Sequence, residues 1–207
     1  VHLEDDVVIT TSTGTKMTTD SLDWDRKNQL LTTKDAVNIE RENMVTTATG
    51  ARGEPNLKKV NLEKDVQVDI NPEQEQAGEG QSAKKKTVIT CDGPLEIDYE
   101  KNIATFNNNV KVDNQDVLIY SDIMDVYFAS SGKEASLSQT TSGPAGVGSK
   151  IEKIVSRGNV KIIRGENISY SDEATYSAFD KKIVLAGRPK LIMYSTEDMS
   201  ASLAGGF

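Results

Sequence analysis

Few side chains in this sequence are of types that do chemistry, and their spacing supports little of it. There is one histidine, His2, and one cysteine, Cys91, among 207 residues. A nucleophilic thiol needs a base or positive charge beside it to form thiolate. Cys91 is followed instead by the turn-forming Asp92-Gly93-Pro94, with no histidine near it in sequence. A single cysteine also excludes an intramolecular disulfide and any multi-cysteine zinc site. The acidic pairs Asp5/Asp6 and Asp23/Asp25 are the groups that could attack a glycosidic bond as paired carboxylates. They stand, however, where turns and strand exteriors want polar residues. No nucleophile elbow, glycine-rich phosphate loop or HExxH helix occurs. No catalytic residue, metal or cofactor is expected, and the chain reads as a non-enzyme.

Charge removes another class. The net charge is −8, whereas a sequence-independent grip on nucleic acid needs clustered Lys and Arg. The one basic run, Lys84-Lys85-Lys86, follows the acidic stretch 73–79 and reads as a solvated loop flank. There is no run of about 20 apolar residues of the kind that spans a bilayer. The chain starts at Val1 rather than Met, so a targeting segment or an N-terminal helix tether to the inner membrane is expected, if present, outside this sequence.

The elements that position the remaining side chains announce themselves by repetition. A phrase of a small or acidic residue, Val, any residue, then Val or Ile appears at Asp6-Val7-Val8-Ile9, Ala36-Val37-Asn38-Ile39 and Asp65-Val66-Gln67-Val68. It returns at Asn109-Val110-Lys111-Val112 and Asn159-Val160-Lys161-Ile162, with a degenerate copy at Gly187-Arg188-Pro189-Lys190-Leu191. The steps between first valines are 30, 29, 44 and 50 residues, and Val160 to Pro189 is 29. Polar inserts at 71–86 and 129–150 account for the two long steps. A period near 29 signals stacked units, each too small to bury a core alone.

Each phrase follows a second pattern, such as Leu22-Asp23-Trp24 before the turn 25–28, Leu95-Glu96-Ile97-Asp98-Tyr99 before 100–102, and Thr175-Tyr176 before 179–182. Side chains on a strand repeat every two residues, so Leu22 and Trp24 share one face, as do Leu95, Ile97 and Tyr99. Strands at Leu30–Thr33 and Ile103–Phe106 are expected before the valine phrase, giving two or three ordinary strands per unit. Hydrophobic residues make up 36% and aromatics only 5%, with Val, Ile and Thr prominent. That composition suits a pleated, half-buried surface. No helical stripe is sustained, so the fold is expected to be all-β. The inserts, rich in Gly, Gln and Ser, read as loops on the rim.

The pattern Thr18-Thr19-Asp20-x-Leu22-x-Trp24-Asp25, a turn, then Ala36-Val37-x-Ile39 resembles the periplasmic part of the LptC family. The copies Arg157-Gly158-Asn159-Val160-x-Ile162 and Ala174-Thr175-Tyr176 through Arg188-Pro189 are similar to the LptA/OstA family. Residues 1–70 look LptC-like and 87–207 LptA-like, as one continuous stack. The resemblance implies an elongated β-jellyroll, folded like a taco, in the periplasm. It further implies an open groove that cradles lipopolysaccharide acyl chains, and end-to-end stacking on neighbouring Lpt jellyrolls between the inner-membrane transporter complex and the outer membrane.

A groove of that kind would be lined by the inward set Val7, Ile9, Leu22, Trp24, Val37, Ile39, Val66, Val68, Leu95, Ile97, Tyr99, Val110, Val112, Val160, Ile162 and Tyr176. Trp24 is the first candidate for ligand contact, because large aromatics line apolar pockets and seldom bury fully. An acyl chain of about 12 to 14 carbons gains roughly 10 kcal/mol on leaving water. A conveyor between two membranes must only match that gain. The lining should therefore be apolar, without a head-group clamp, while acidic outer faces keep lipid phosphates away. Unpaired edge strands at the two ends, with Val7, Val8 and Ile9 at one and Leu191, Ile192 and Met193 at the other, are the expected docking strands. Two other readings fit the period: a filled β-solenoid scaffold without ligand, and a polysaccharide-active enzyme on a β-helix. Lipid binding separates the first from the groove, and glycan turnover would identify the second.

Overall fold

A computed structural model describes residues 1–12, 14–41, 43–71, 86–128, 151–180 and 182–193. Most of the two inserts, and the stretch from residue 194 onward, lie outside the described residues. The described chain is all β. Its strands are β1 (His2–Thr10), β2 (Lys16–Asp25), β3 (Leu30–Arg41), β4 (Met44–Gly53), β5 (Lys59–Ile70), β6 (Thr87–Cys91) and β7 (Leu95–Asp98). They continue with β8 (Ile103–Asp113), β9 (Val117–Phe128), β10 (Ile151–Arg164), β11 (Asn167–Ser177), β12 (Lys182–Ala186) and β13 (Lys190–Ile192). All pairings are antiparallel, and sequential neighbours pair, so the sheet grows steadily from β1 to β12/β13. This is the elongated β-jellyroll.

The short strands expected before each valine phrase are fused to it. Leu30–Thr33 continues into Ala36–Ile39 as β3, and Ile103–Phe106 into Val110–Val112 as β8. What separates the halves is a crease. Pairing registers shift between Glu4 and Val7, Thr33 and Ala36, Asn107 and Val110, and Arg157 and Val160. At the same level β6 gives way to β7, and β12 to β13. Bulges bend strands and steepen their twist, so a row of them folds one sheet in two. The jellyroll is thus one creased sheet rather than two separate ones.

In four of the phrases the residue before the first valine serves this crease, as does Arg188 before Pro189, whereas Ala36 keeps a negative φ. Asp6, Asp65, Asn109, Asn159 and Arg188 have φ between 48° and 56°, the left-handed region that Asn and Asp tolerate better than most residues. Gly158 precedes one of them at φ 74°. A Cβ there would overlap the carboxylate of Asp122, which instead accepts a 2.9 Å bond from Asn159 Nδ2. Polar partners recur along the line: Asn109 Nδ2 donates to Asp92 at 2.5 Å, Ser21 to Asp35 at 2.5 Å, and the Thr19 and Thr33 hydroxyls are 3.2 Å apart. Carbonyls that the interrupted ladder releases find side-chain donors as well, Gly93 from Asn108 Nδ2 at 2.7 Å and Pro94 from Asn107 Nδ2 at 3.0 Å.

Turns on the rims use the same economy. The carboxylate of Asp25 accepts the amides of Lys27 and Asn28, and that of Asp98 accepts those of Glu100 and Lys101, as turn-forming Asp side chains do.

Candidate functional site

Creasing the sheet brings its two inner walls face to face, and the registers line up their side chains in rows. On one wall the row reads Ile9, Met17, Ile39, Thr46, Val68, Ile89, Val112, Ile119, Ile162, Ser169, Leu191. Opposite runs Trp24, Leu31, Gly53, Val60, Ile97, Ala104, Val126, Ile154, Tyr176, Ile183. Nearer the crease a third row passes from Leu62 through Leu95, Phe106 and Met124 to Ser156, Ala174 and Leu185.

Between the walls lies a cavity of about 310 Å³. Val68, Ile89, Val112 and Ile119 form one side, and Ile97, Ala104, Val126 and Ile154 the other, with Leu95, Phe106 and Met124 at the bottom. Ile70, Phe128 and Ile151 stand at its mouth. Asn43, Thr46 and Thr87 are the polar residues of a lining otherwise aliphatic and aromatic. The volume has room for about ten groups of water or methylene size. That is the scale of one acyl chain.

Toward the N-terminal end the mouth is shut. Arg41, at the end of β3, and Tyr99, just past β7, stand on opposite rims, and the guanidinium lies 4.5 Å from the ring centroid. Arg41 is 8% exposed. Burial pushes the Tyr99 hydroxyl pKa up, and the nearby guanidinium partly offsets this. Leu57 from the β4–β5 turn and Thr15 beside the β1–β2 turn are likewise buried, at 4% and 2% exposed.

The sequence-predicted groove residues fall into three groups. Val68, Leu95, Ile97 and Val112 line the cavity. Val7, Leu22, Val37, Ile39, Val66, Val110 and Val160 are buried, most of them in the core along the crease and closed end. Ile9, Trp24 and Tyr99 are partly buried against that core, while Ile162 and Tyr176 continue the two rows toward β13 and are partly exposed. Sequence reading missed Phe106, Met124, Val126, Phe128, Ile151 and Ile154, which also line the cavity. Their signal lay in the strands between valine phrases, where Phe106 precedes Val110 at strand spacing and Met124-x-Val126-x-Phe128 alternates.

The groups that could have done chemistry have structural partners. His2 Nδ1 is 2.8 Å from Asp23 and Nε2 2.9 Å from Glu4, and these bonds, Asp23 first, raise its pKa. Asp25 is held below the usual carboxylate range by its turn bonds, that from the Asn28 amide foremost. The Cys91 thiol is buried, and burial pushes its pKa up. No group of three or more His, Cys, Asp or Glu fit to hold a metal occurs among the described residues.

Outside, one expectation is overturned. The outer face is not uniformly acidic, because Lys111, Lys161 and Lys190, far apart in sequence, stack in one row across the sheet together with Tyr120 and Tyr170. Each is the middle residue of a repeat phrase, so the repeat itself superimposes them.

An apolar cavity in a creased all-β sheet matches what the amino-terminal repeats suggested. Residues 1–71 match the family described as lipopolysaccharide-assembly, LptC-related. The amino-terminal third of the chain is LptC-like. The match is to a family of lipopolysaccharide assembly and covers this amino-terminal part of the chain. No curated protein matches the chain significantly. Among the described residues no helix is long and apolar enough to cross a membrane.

Proposed function

We propose that this chain is a periplasmic carrier segment, not an enzyme, that shelters lipopolysaccharide acyl chains between its two walls and passes them along the row of repeats. The single observation that carries the reading is the cavity: its lining is almost wholly apolar, and it opens sideways between the rims at Ile70, Phe128 and Ile151. Apolar rows extend beyond it toward β13, giving a chain somewhere to slide without meeting a charge. At about 0.8 kcal/mol per buried methylene, a cavity of this size returns much of what an acyl chain loses on leaving a bilayer. Neighbouring Lpt jellyrolls would dock on the edge strands, β1 through Val7, Val8 and Ile9, and β13 through Leu191, Ile192 and the adjacent Met193. Both edges are unpaired among the described residues.

The test replaces Ile97 or Phe128 with a photo-crosslinking amino acid and irradiates the protein with lipopolysaccharide, using deacylated glycan as control and Thr47, on the outer face, as the control position. A crosslink from the cavity positions to the intact lipid alone is expected. Equal labelling from Thr47, or none from the cavity, would return the interior to the role of a packed scaffold core.

A further inference from the structure

Two outer rows cross the whole sheet, and they change character half-way. The first runs Val8, Thr18, Asn38, Thr47, Gln67, Thr90, Lys111, Tyr120, Lys161, Tyr170, Lys190. The second, two residues nearer the rim, runs Thr10, Lys16, Glu40, Val45, Asp69, Val88, Asp113, Leu118, Ile163, Ile168, Ile192. In the amino-terminal half they hold mainly Thr, Asn, Gln and mixed charges. In the carboxy-terminal half they become an alternating Lys/Tyr ladder beside a row of four aliphatics.

We propose that this carboxy-terminal outer face is a docking surface for an anionic phospholipid bilayer. Directly opposed side chains on neighbouring strands touch, so the ladder is one continuous strip. Lys161 Nζ lies 6.0 Å from the Tyr120 ring centroid and 5.9 Å from that of Tyr170, which holds a cation between two amphipathic rings. Tyr170 and Ile192 are 37% and 41% exposed. Arg188 and Lys190 border a shallow outer hollow with Tyr120, Lys161 and Tyr170. The acidic groups near this face are Asp113, within the second row and 3.7 Å from Lys111, Asp122 and Asp172 along the crease, and Asp116 and Glu166 in the β8–β9 and β10–β11 turns.

The three residue types match the three layers of a bilayer surface. Lysines seek the phosphates, tyrosines settle at headgroup level, and the aliphatic row enters the acyl boundary. A soluble polyanion would use the lysines but leave Leu118, Ile163, Ile168 and Ile192 without a partner. In a chain of net charge −8, a face combining cations, tyrosines and aliphatics is complementary to anionic lipid where the other faces are not. With that face on a membrane, the groove mouth stays on the rims and free of it.

Flotation of the whole chain with phosphatidylcholine vesicles, with and without phosphatidylglycerol, tests this directly. Binding to the phosphatidylglycerol vesicles alone, weakened by salt, is expected. Replacing Lys111, Lys161 and Lys190 together with Gln should weaken it about a hundredfold, at about fivefold per lysine. Ile168→Ser with Ile192→Ser should weaken it with the lysines intact, and Lys16→Gln with Lys58→Gln should change nothing. Absence of binding, equal binding to neutral vesicles, or insensitivity to the isoleucine changes would overturn the proposal. So would competition by a soluble anionic polysaccharide as strong as by lipid. Photo-crosslinking inside the cavity is independent of this face, so either reading can fail alone.

Discussion

The two ends of this sheet share a repeat, a crease and a register, yet one is filled and the other is not. At the amino-terminal end Met17, Leu31, Val60 and Leu62 are buried at 6% exposure or less, and the rims meet through Arg41 and Tyr99. At the carboxy-terminal end the inward-facing Ile183 and Leu191 are 52% and 61% exposed. The cavity lies between. The inner rows locate the difference: the row that starts with Leu62, Leu95, Phe106 and Met124 continues with Ser156 and Ala174. Ser156 and Ala174 are themselves buried, so packing persists along the crease, and the walls open nearer the rims, at Ile183 and Leu191. A repeat therefore sets where side chains point, and at the carboxy-terminal end the distance of an inward position from the crease sets whether the walls close on it.

The largest effect expected from this comparison comes from making one substitution at both ends of one row. Leu62→Ala, at a residue 0% exposed, should cost about 2–5 kcal/mol in denaturant unfolding. Leu185→Ala, on the same row at the open end, should cost about 0.5 kcal/mol or less. Equal costs would mean that the carboxy-terminal wall is packed as well.

A smaller effect concerns what holds the rims together. Tyr99→Ala removes the ring under Arg41, a contact worth about 1–2 kcal/mol when desolvated. Hydrogen exchange should quicken at Leu57 and around Thr15, while β10 and β11 keep their protection. Cavity labelling by lipid should rise, because the closed end no longer stops the chain. Unchanged exchange at Leu57 would show that packing alone closes that end.

The smallest effect is at the edge of β1. Hydrogen bonds to Asp23 and Glu4 raise the His2 pKa above its unfolded value near 6.5. A raised folded pKa contributes stability that is fully present below the unfolded pKa and is lost as pH rises through the folded one. Fraying of β1, followed by exchange at Leu3 and Glu4 relative to β2, should therefore increase as pH passes from below 6.5 through the raised value. His2→Gln should abolish that pH dependence. Exposure of the pair keeps the effect small.

Much of the fold was legible in the residues. Val-x-Val/Ile at near-constant distance located β1, β3, β5, β8, β10 and the β12–β13 break. The left-handed backbone of Asp6, Asp65, Asn109 and Asn159 is not legible from their being small or acidic. That is why fused, creased strands were taken apart into short ones. Of the cavity, Val68, Leu95, Ile97 and Val112 were named in advance, but Phe128 and Ile151 border the insert 129–150 and carry no repeat phrase of their own. The lysines of the Lys/Tyr ladder are the middle residues of three phrases, and only stacking those phrases in register brings residues 50 and 29 apart onto every second strand of one row.

By itself the sequence determined the period and the alternation of inward and outward side chains. Those are local properties, set by the two-residue repeat of a strand and by the chemistry of each side chain. Tertiary structure alone decided that the sheet folds on a crease, that Arg41 reaches Tyr99 across the rims, and that an apolar cavity remains between the walls. Each depends on pairing between residues far apart in the chain, which no stretch of sequence contains.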